Sequence, residues 1–347
     1  MPFTRNDCSD RVDFSGLLTP EEVSFIANTP SIRTLQFDSA VHSDNWRLLE
    51  EHLFRRRPDI CLRAYGPYSN CDVSFVKQMP ALENFGVDCI RKVSGIQALE
   101  SLPNLRHLSI GVLELDNFDF LSTVSTGLKS LMLSSTLSTK PDVSVLSRFK
   151  QLEELFIGGH LKGLQVLPSL PNLGKLRFWG LKSPNLDFLP KMPSLWSIEF
   201  ALGGGEDFSP IAGVAGLKAL EITWVRRLQD LEFISNCINL QRLTLDRLRQ
   251  VESLPNFERL TQLRGLAIAG MNGLKSVDSI VSAPALEGFG GSAKLLQPED
   301  FRVALQAPSL RRASFYYSSE KKCREFDAIA AEYGVSTTAE YEKFVFN

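Results

Sequence analysis

Leu240-Gln241-Arg242-Leu243-Thr244-Leu245 decides the fold, because the same spacing returns along most of the chain. Leu217–Ile222 reads LKALEI, Leu263–Ile268 reads LRGLAI, Leu195–Phe200 reads LWSIEF and Leu173–Phe178 reads LGKLRF. Upstream, LEELFI begins at Leu152, LKSLML at Leu128 and LRHLSI at Leu105. With the first leucine as position 1, these anchors follow one another at steps of 21 to 24 residues. Weaker copies start at Ile32, Asp59, Leu82, Leu286 and Leu310, making about thirteen units. Self-similarity at this period marks a solenoid, in which each unit buries its apolar face on its neighbours.

Inside a unit, positions 1, 4 and 6 are apolar, and the alternation at 4 and 6 predicts a strand with one buried face. The second half carries apolar residues three apart, as in Leu228, Leu231 and Ile234. Prolines recur just before the next anchor (Pro103, Pro171, Pro193, Pro284, Pro308) and exclude a long helix there. The back of each unit should therefore be extended segments with short turns or single helical turns.

The ends depart from the repeat. Thr19-Pro20-Glu21-Glu22 is a capping box, predicting a helix from about Pro20 to Ala27 with Val23 and Ile26 facing inward. Trp46, Leu49 and Leu53 stand at helical spacing behind Ser43, a candidate cap. Toward the end, Cys323, Phe326, Ile329, Ala330 and Tyr333 form a helical stripe closed by Gly334, and Phe344-Val345-Phe346 reads as a short strand. These breaks divide the chain into 1–58 (N-terminal helical cap and first divergent repeat), 59–317 (repeat solenoid) and 318–347 (C-terminal helical cap and tail).

Composition narrows the partners. The formal net charge is −2, so nucleic acid is not the expected partner, since phosphate binding wants a basic stripe. No apolar run approaches the roughly 18 residues of a membrane span, and MPFTRNDCSDRVDF has no apolar signal core. The six cysteines (Cys8, Cys61, Cys71, Cys89, Cys237, Cys323) show no CxxC spacing, which favours reduced thiols in a cytoplasmic protein.

The residues from about Ile32 to Tyr317 resemble the leucine-rich repeat, L-x-x-L-x-L. The steps Asp119-Phe120-Leu121 and Asp187-Phe188-Leu189 look like the short class typified by a protein-phosphatase-1 regulator and by bacterial internalins. The resemblance implies an α/β solenoid: a curved horseshoe with a parallel β-sheet on its concave face, short turns on its convex face and helical caps. It also implies a family role of binding other proteins. One departure stands out. Family members place asparagine or cysteine at position 9 to bond the loop backbone. Here position 9 is Ile90, Leu113, Thr136, His160, Leu181, Gly203, Val225, Leu248 and Met271, so buried loop amides must find carbonyls or water instead.

Positions 3, 5 and 7 of such strands project from the concave face. Read down those columns, the central units carry Phe156, Arg177, Trp179, Glu199, Glu221, Thr223 and Asp246. Aromatics beside arginine and acids are what protein hot spots are made of, so these seven form the expected partner-binding band. The alternative is that Phe156 and Trp179 lie against neighbouring side chains while Arg177 and Glu199 pair across strands. Farther on, Gly265, Ala267, Ala269, Gly288, Gly290 and Ser292 leave a bare strip. It reads either as a recess for a partner's loop or as a floor covered by the chain's own C-terminal tail or a neighbouring turn.

No catalytic constellation emerges. His42, His52, His107 and His160 lie far apart, no Cys/His/Asp cluster has metal spacing, and the glycine runs lack the Lys-Ser/Thr of a phosphate loop. No cofactor is implied. The expectation is a monomeric, non-enzymatic scaffold that recognises a protein partner. Its specific versions are an immunity or inhibitor protein that neutralises a toxin or effector, and an adaptor that regulates a phosphatase or other enzyme. An enzyme using an acid pair such as Glu199 and Glu221 is the remaining class.

Overall fold

A computed structural model of the chain describes residues 3–5, 10–38, 41–66 and 69–337. Two compact units result, Met1–Leu173 and Gly174–Asn347. Each is a stack of repeats in which strands alternate with short returns, most of them 3-10 turns.

In the first unit, β1 (Phe3–Arg5) runs antiparallel to β2 (Arg11–Phe14). Five further strands extend the sheet in parallel: β3 (Thr34–Phe37), β4 (Cys61–Tyr65), β6 (Asn84–Ile90), β8 (His107–Val112) and β9 (Ser130–Leu133). β10 (Glu154–Gly158) follows beside β9. β5 (Asn70–Asp72) and β7 (Lys92–Ser94) form a separate parallel pair.

α1 (Pro20–Asn28) starts where the capping box places it. Thr19 accepts from the Glu22 amide, Glu22 accepts from the Thr19 amide, and Val23 and Ile26 are buried. α2 (Asp44–Leu49) runs on into a wide turn over Glu50–Phe54 and buries Trp46, Leu49 and Leu53. Ser43 does not cap it. Its backbone is already helical (φ −62, ψ −27), whereas a capping hydroxyl needs an extended residue to reach back. The His42 Nδ1 accepts from the Asp44 amide instead.

The second unit aligns seven parallel strands: β11 (Lys175–Trp179), β12 (Ser197–Ala201), β13 (Ala219–Thr223), β14 (Arg242–Asp246), β15 (Gly265–Ala269), β16 (Gly288–Gly291) and β17 (Arg312–Phe315). Register puts position 4 opposite position 4 throughout, so Leu176, Ile198, Leu220, Leu243, Leu266 and Phe289 make one buried row. Position 6 makes the second row, from Phe178 and Phe200 to Phe315, interrupted at Gly291. A Cβ at Gly291 would lie 1.4 Å from the Ile268 carbonyl oxygen, so glycine is obligatory there.

The turns behind the strands are 3-10, as the prolines require; Pro190 and Pro210 sit in the first positions of two of them. Many open with an Asn or Asp side chain that accepts an amide two residues on. Asp142 takes Ser144, Asn185 takes Asp187, Asp207 takes Ser209 and Asp230 takes Glu232, at 2.7 to 2.9 Å. This side-chain turn does locally what an internal asparagine ladder does between repeats. The loop amides also bond neighbouring loops, as in Leu113 N to Ile90 O and Gly204 N to Leu181 O. The expectation that carbonyls replace the ladder is met.

At the end, α3 (Glu320–Glu332) buries Phe326, Ile329 and Ala330. The Gly334 amide bonds Ala331 O and the Val335 amide bonds Ala330 O, the paired closure that a left-handed glycine (φ +70) permits. Ser336 then pairs in parallel with Arg312. The expected strand at Phe344-Val345-Phe346 lies outside the described residues.

Candidate functional site

The outer face of a strand, away from the core, carries positions 3, 5 and 7. In the second unit, register places Arg177 opposite Glu199, Glu199 opposite Glu221, and Thr223 opposite Asp246. Six of the seven expected residues therefore share one face of four adjoining strands. Trp179 stands on it 42% exposed, at the end of β11. Phe156 belongs to the first unit, half-buried on the same kind of face of β10 and opposite Met132 of β9.

Arg177 and Glu199 form a fork: Nε donates to Oε2 at 2.6 Å and Nη2 to Oε1 at 3.4 Å. This cross-strand pair is the one the alternative reading expects, and two hydrogen bonds hold the guanidinium in place. The carboxylates behind it are less comfortable. Glu221 accepts from Thr223 Oγ1 at 3.3 Å. Burial first, then the Glu199 charge, push its pKa above the usual carboxylate value, and Asp246 adds to the effect. Asp246 is also raised, by burial, against the opposing pull of Arg247 at 3.3 Å. Negative charge on this floor is held at a cost that an arriving cation relieves.

A pH test follows for Glu221. Its folded-state pKa lies above the unfolded one, so the folded protein keeps the proton longer. The stability that this brings is fully present below the ordinary carboxylate pKa and fades as pH rises through the folded value. Glu221→Gln is expected to raise the melting temperature at pH 7 and to leave it nearly unchanged at pH 4. A lower melting temperature at pH 7 would show that the carboxylate is already stabilised.

The left-handed backbone along the rim of this face escaped sequence reading. Position 8 is left-handed in successive repeats: Gly180 (φ +71), Leu202 (φ +56), Trp224 (φ +52), Arg247 (φ +53) and Gly270 (φ +60). Each of the first four donates its amide to the position-7 carbonyl of the next repeat, at 2.8 to 3.0 Å. That bond continues the strand ladder by one residue and holds the backbone in the left-handed region. Three bulky side chains accept this geometry, and the Arg247 guanidinium lies over the Trp224 ring at 5.4 Å. Leu202 is 39% exposed. The available signal was that glycine occupies the same position in neighbouring units, at Gly159, Gly180 and Gly270.

The backbone requirement can be isolated at Gly180, where an added Cβ would meet nothing within 4 Å. Gly180→Ala is expected to cost about 1 kcal/mol, from the left-handed conformation alone. Chemical denaturation measures it; an unchanged midpoint would mean that the turn is not bound to that conformation.

Elsewhere the expected features resolve as follows. His160 fills position 9, buried, with Nε2 at 3.0 Å from the Ser134 carbonyl and its ring edge-on to Phe118; burial pushes its pKa down. It does the work of the missing asparagine. His107 is exposed at position 3. Gly265, Gly288 and Gly290 of the bare strip are buried. The tail expected to cover them falls outside the described residues. No helix among the described residues is long and apolar enough to cross a membrane.

Strand register, position-4 and position-6 rows and 3-10 returns together define both units as having the leucine-rich-repeat fold. Among solved structures, an internalin of Listeria monocytogenes matches with a TM-score of 0.55 and 17% identity, over 89% of this chain and 88% of its own. A leucine-rich-repeat protein of Leptospira interrogans matches with a TM-score of 0.54 and 13% identity, over 90% and 91%. The likeness is one of fold. No family model matches the sequence, and neither does any protein with a curated description.

Proposed function

We propose that the chain is a non-catalytic scaffold that holds a protein partner against the outer face of its repeat strands. The contact band is Arg177, Trp179, Glu199, Glu221, Thr223 and Asp246, all on β11 to β14 of the second unit. The observation that carries this reading is Trp179: a large aromatic, 42% exposed, on a hydrogen-bonded strand beside a forked arginine–glutamate pair. A rigid exposed indole loses little conformational freedom when covered, and such residues dominate interface energies.

Charge supports one of the specific versions. The floor around Glu221 and Asp246 suits a partner that presents basic side chains. Enzymes that act on nucleic acid present such a face, which favours an inhibitor of a toxin or effector over an adaptor for a phosphatase. The test is a pull-down from the native host with immobilised wild type and with the Trp179→Ala variant. A protein captured by wild type and lost with the variant supports the reading. Capture of the same proteins by both overturns the choice of face.

A further inference from the structure

A cavity of about 530 Å³ opens in the first unit, at the C-terminal ends of β3 and β4 beside α2. Its volume lies in the range of small-molecule sites. One wall is aromatic: Trp46 and Phe75 stack at 4.1 Å and 15°, and Phe37 meets them at 5.5 and 5.6 Å. Trp46 and Phe37 are almost sealed, whereas Phe75, which lines the space, is half-buried.

The rest of the lining is acidic and neutral. Asp38 and Asp72 are exposed at its margin, and none of the described lining residues is lysine or arginine. Asp72 uses Oδ1 to accept from the Ser74 amide and hydroxyl, at 2.9 and 2.7 Å. Its Oδ2 takes no hydrogen bond from a described residue. Those Ser74 bonds hold the carboxyl below its ordinary pKa, so Asp72 is an anion at neutral pH. Cys71, also in the lining, is a poor nucleophile because burial pushes its thiol up to about 11. The cavity is thus equipped to bind and not to react.

Aromatic faces and carboxylates both favour positive charge, while the stacked rings demand a flat apolar body. We propose that this cavity binds a small organic cation of the aromatic-amine class, its ring against Phe75 at the open edge of the Trp46–Phe75 stack and its ammonium toward Asp38 and Asp72. The site lies in the first unit and is independent of the protein-binding band on β11 to β14.

Tryptamine is the probe, with indole-3-propionate as an isostere of opposite charge, followed by calorimetric titration and ligand-observed saturation-transfer NMR. Wild type should bind tryptamine at least tenfold more tightly than the carboxylate. The Asp38→Asn/Asp72→Asn variant keeps an oxygen acceptor for the Ser74 amide and should fold, yet lose about tenfold in tryptamine affinity. Phe75→Ala should lose binding as well, and Trp179→Ala should retain it. Equal binding of both probes, no tryptamine binding at millimolar concentration, or undiminished binding by the Asn variant would overturn the proposal. Loss with Trp179→Ala in place of Phe75→Ala would likewise overturn it, by moving the ligand to the second unit.

Discussion

Phe301→Ala is expected to cost the Gly174–Asn347 unit about 3–5 kcal/mol. Phe301 is fully buried and is the common neighbour of three other rings. Its centroid lies 6.0 Å from Phe289 in a stack, 4.4 Å from Phe315 and 5.2 Å from Phe326, edge-on. Phe289 and Phe315 belong to the last two strands and Phe326 to α3, so one ring joins the helix to the sheet. Ladder spacing fixes the strands, which leaves the walls little freedom to close over the void. Because repeat stacks lose cooperativity when a neighbour contact is cut, hydrogen exchange is the better readout than a single melting point. Protection of the α3 amides should fall with that of β17. A loss below about 1 kcal/mol would mean that the helix docks by other contacts.

The second large effect concerns binding. Trp179→Ala should weaken the captured partner by about 2 kcal/mol, roughly thirtyfold in Kd, with stability changed by no more than about 0.5 kcal/mol. Arg177→Ala should do less, because a solvent-exposed ion pair contributes at most about 1 kcal/mol. The ordering is the diagnostic part: calorimetry with the purified partner should rank Trp179 above Arg177. The reverse ranking would mean that charge, and not the indole, anchors the complex. A large stability loss in Trp179→Ala would instead place the ring in a structural role.

The outer-face band was legible because a strand has a period of two. Once the hexamer set position 4 inward, Trp179, Arg177, Glu199 and Glu221 had to point outward, and aligning successive hexamers set Arg177 beside Glu199. Pairing of that kind needs no knowledge of loops. The rim was not legible: nothing in Leu202, Trp224 or Arg247 announces a left-handed backbone, which is imposed by an amide reaching the next repeat's carbonyl. Ser43 shows the same limit at a helix end, since a capping residue type does not guarantee a capping conformation.

The cavity beside α2 is a case of side chains far apart in sequence. Phe37, Trp46 and Phe75 come from a strand, a helix and a 3-10 turn, and no spacing rule links them. The raised carboxylates belong between these cases. Their neighbours follow from register, but burial depends on how densely the adjoining strands are clothed.

The repeated leucines by themselves determined the main strand of each repeat, which of its faces is core, and that the returns are short, whereas β1, β2 and the β5–β7 pair lie outside that pattern. These are local choices, settled by alternation and by proline within about two dozen residues. Tertiary structure alone decided the left-handed rim, the burial of Glu221 and Asp246, the histidine standing in for asparagine and the aromatic pocket. Each of those depends on the distance between groups on different repeats, and that distance exists only after the stack has formed.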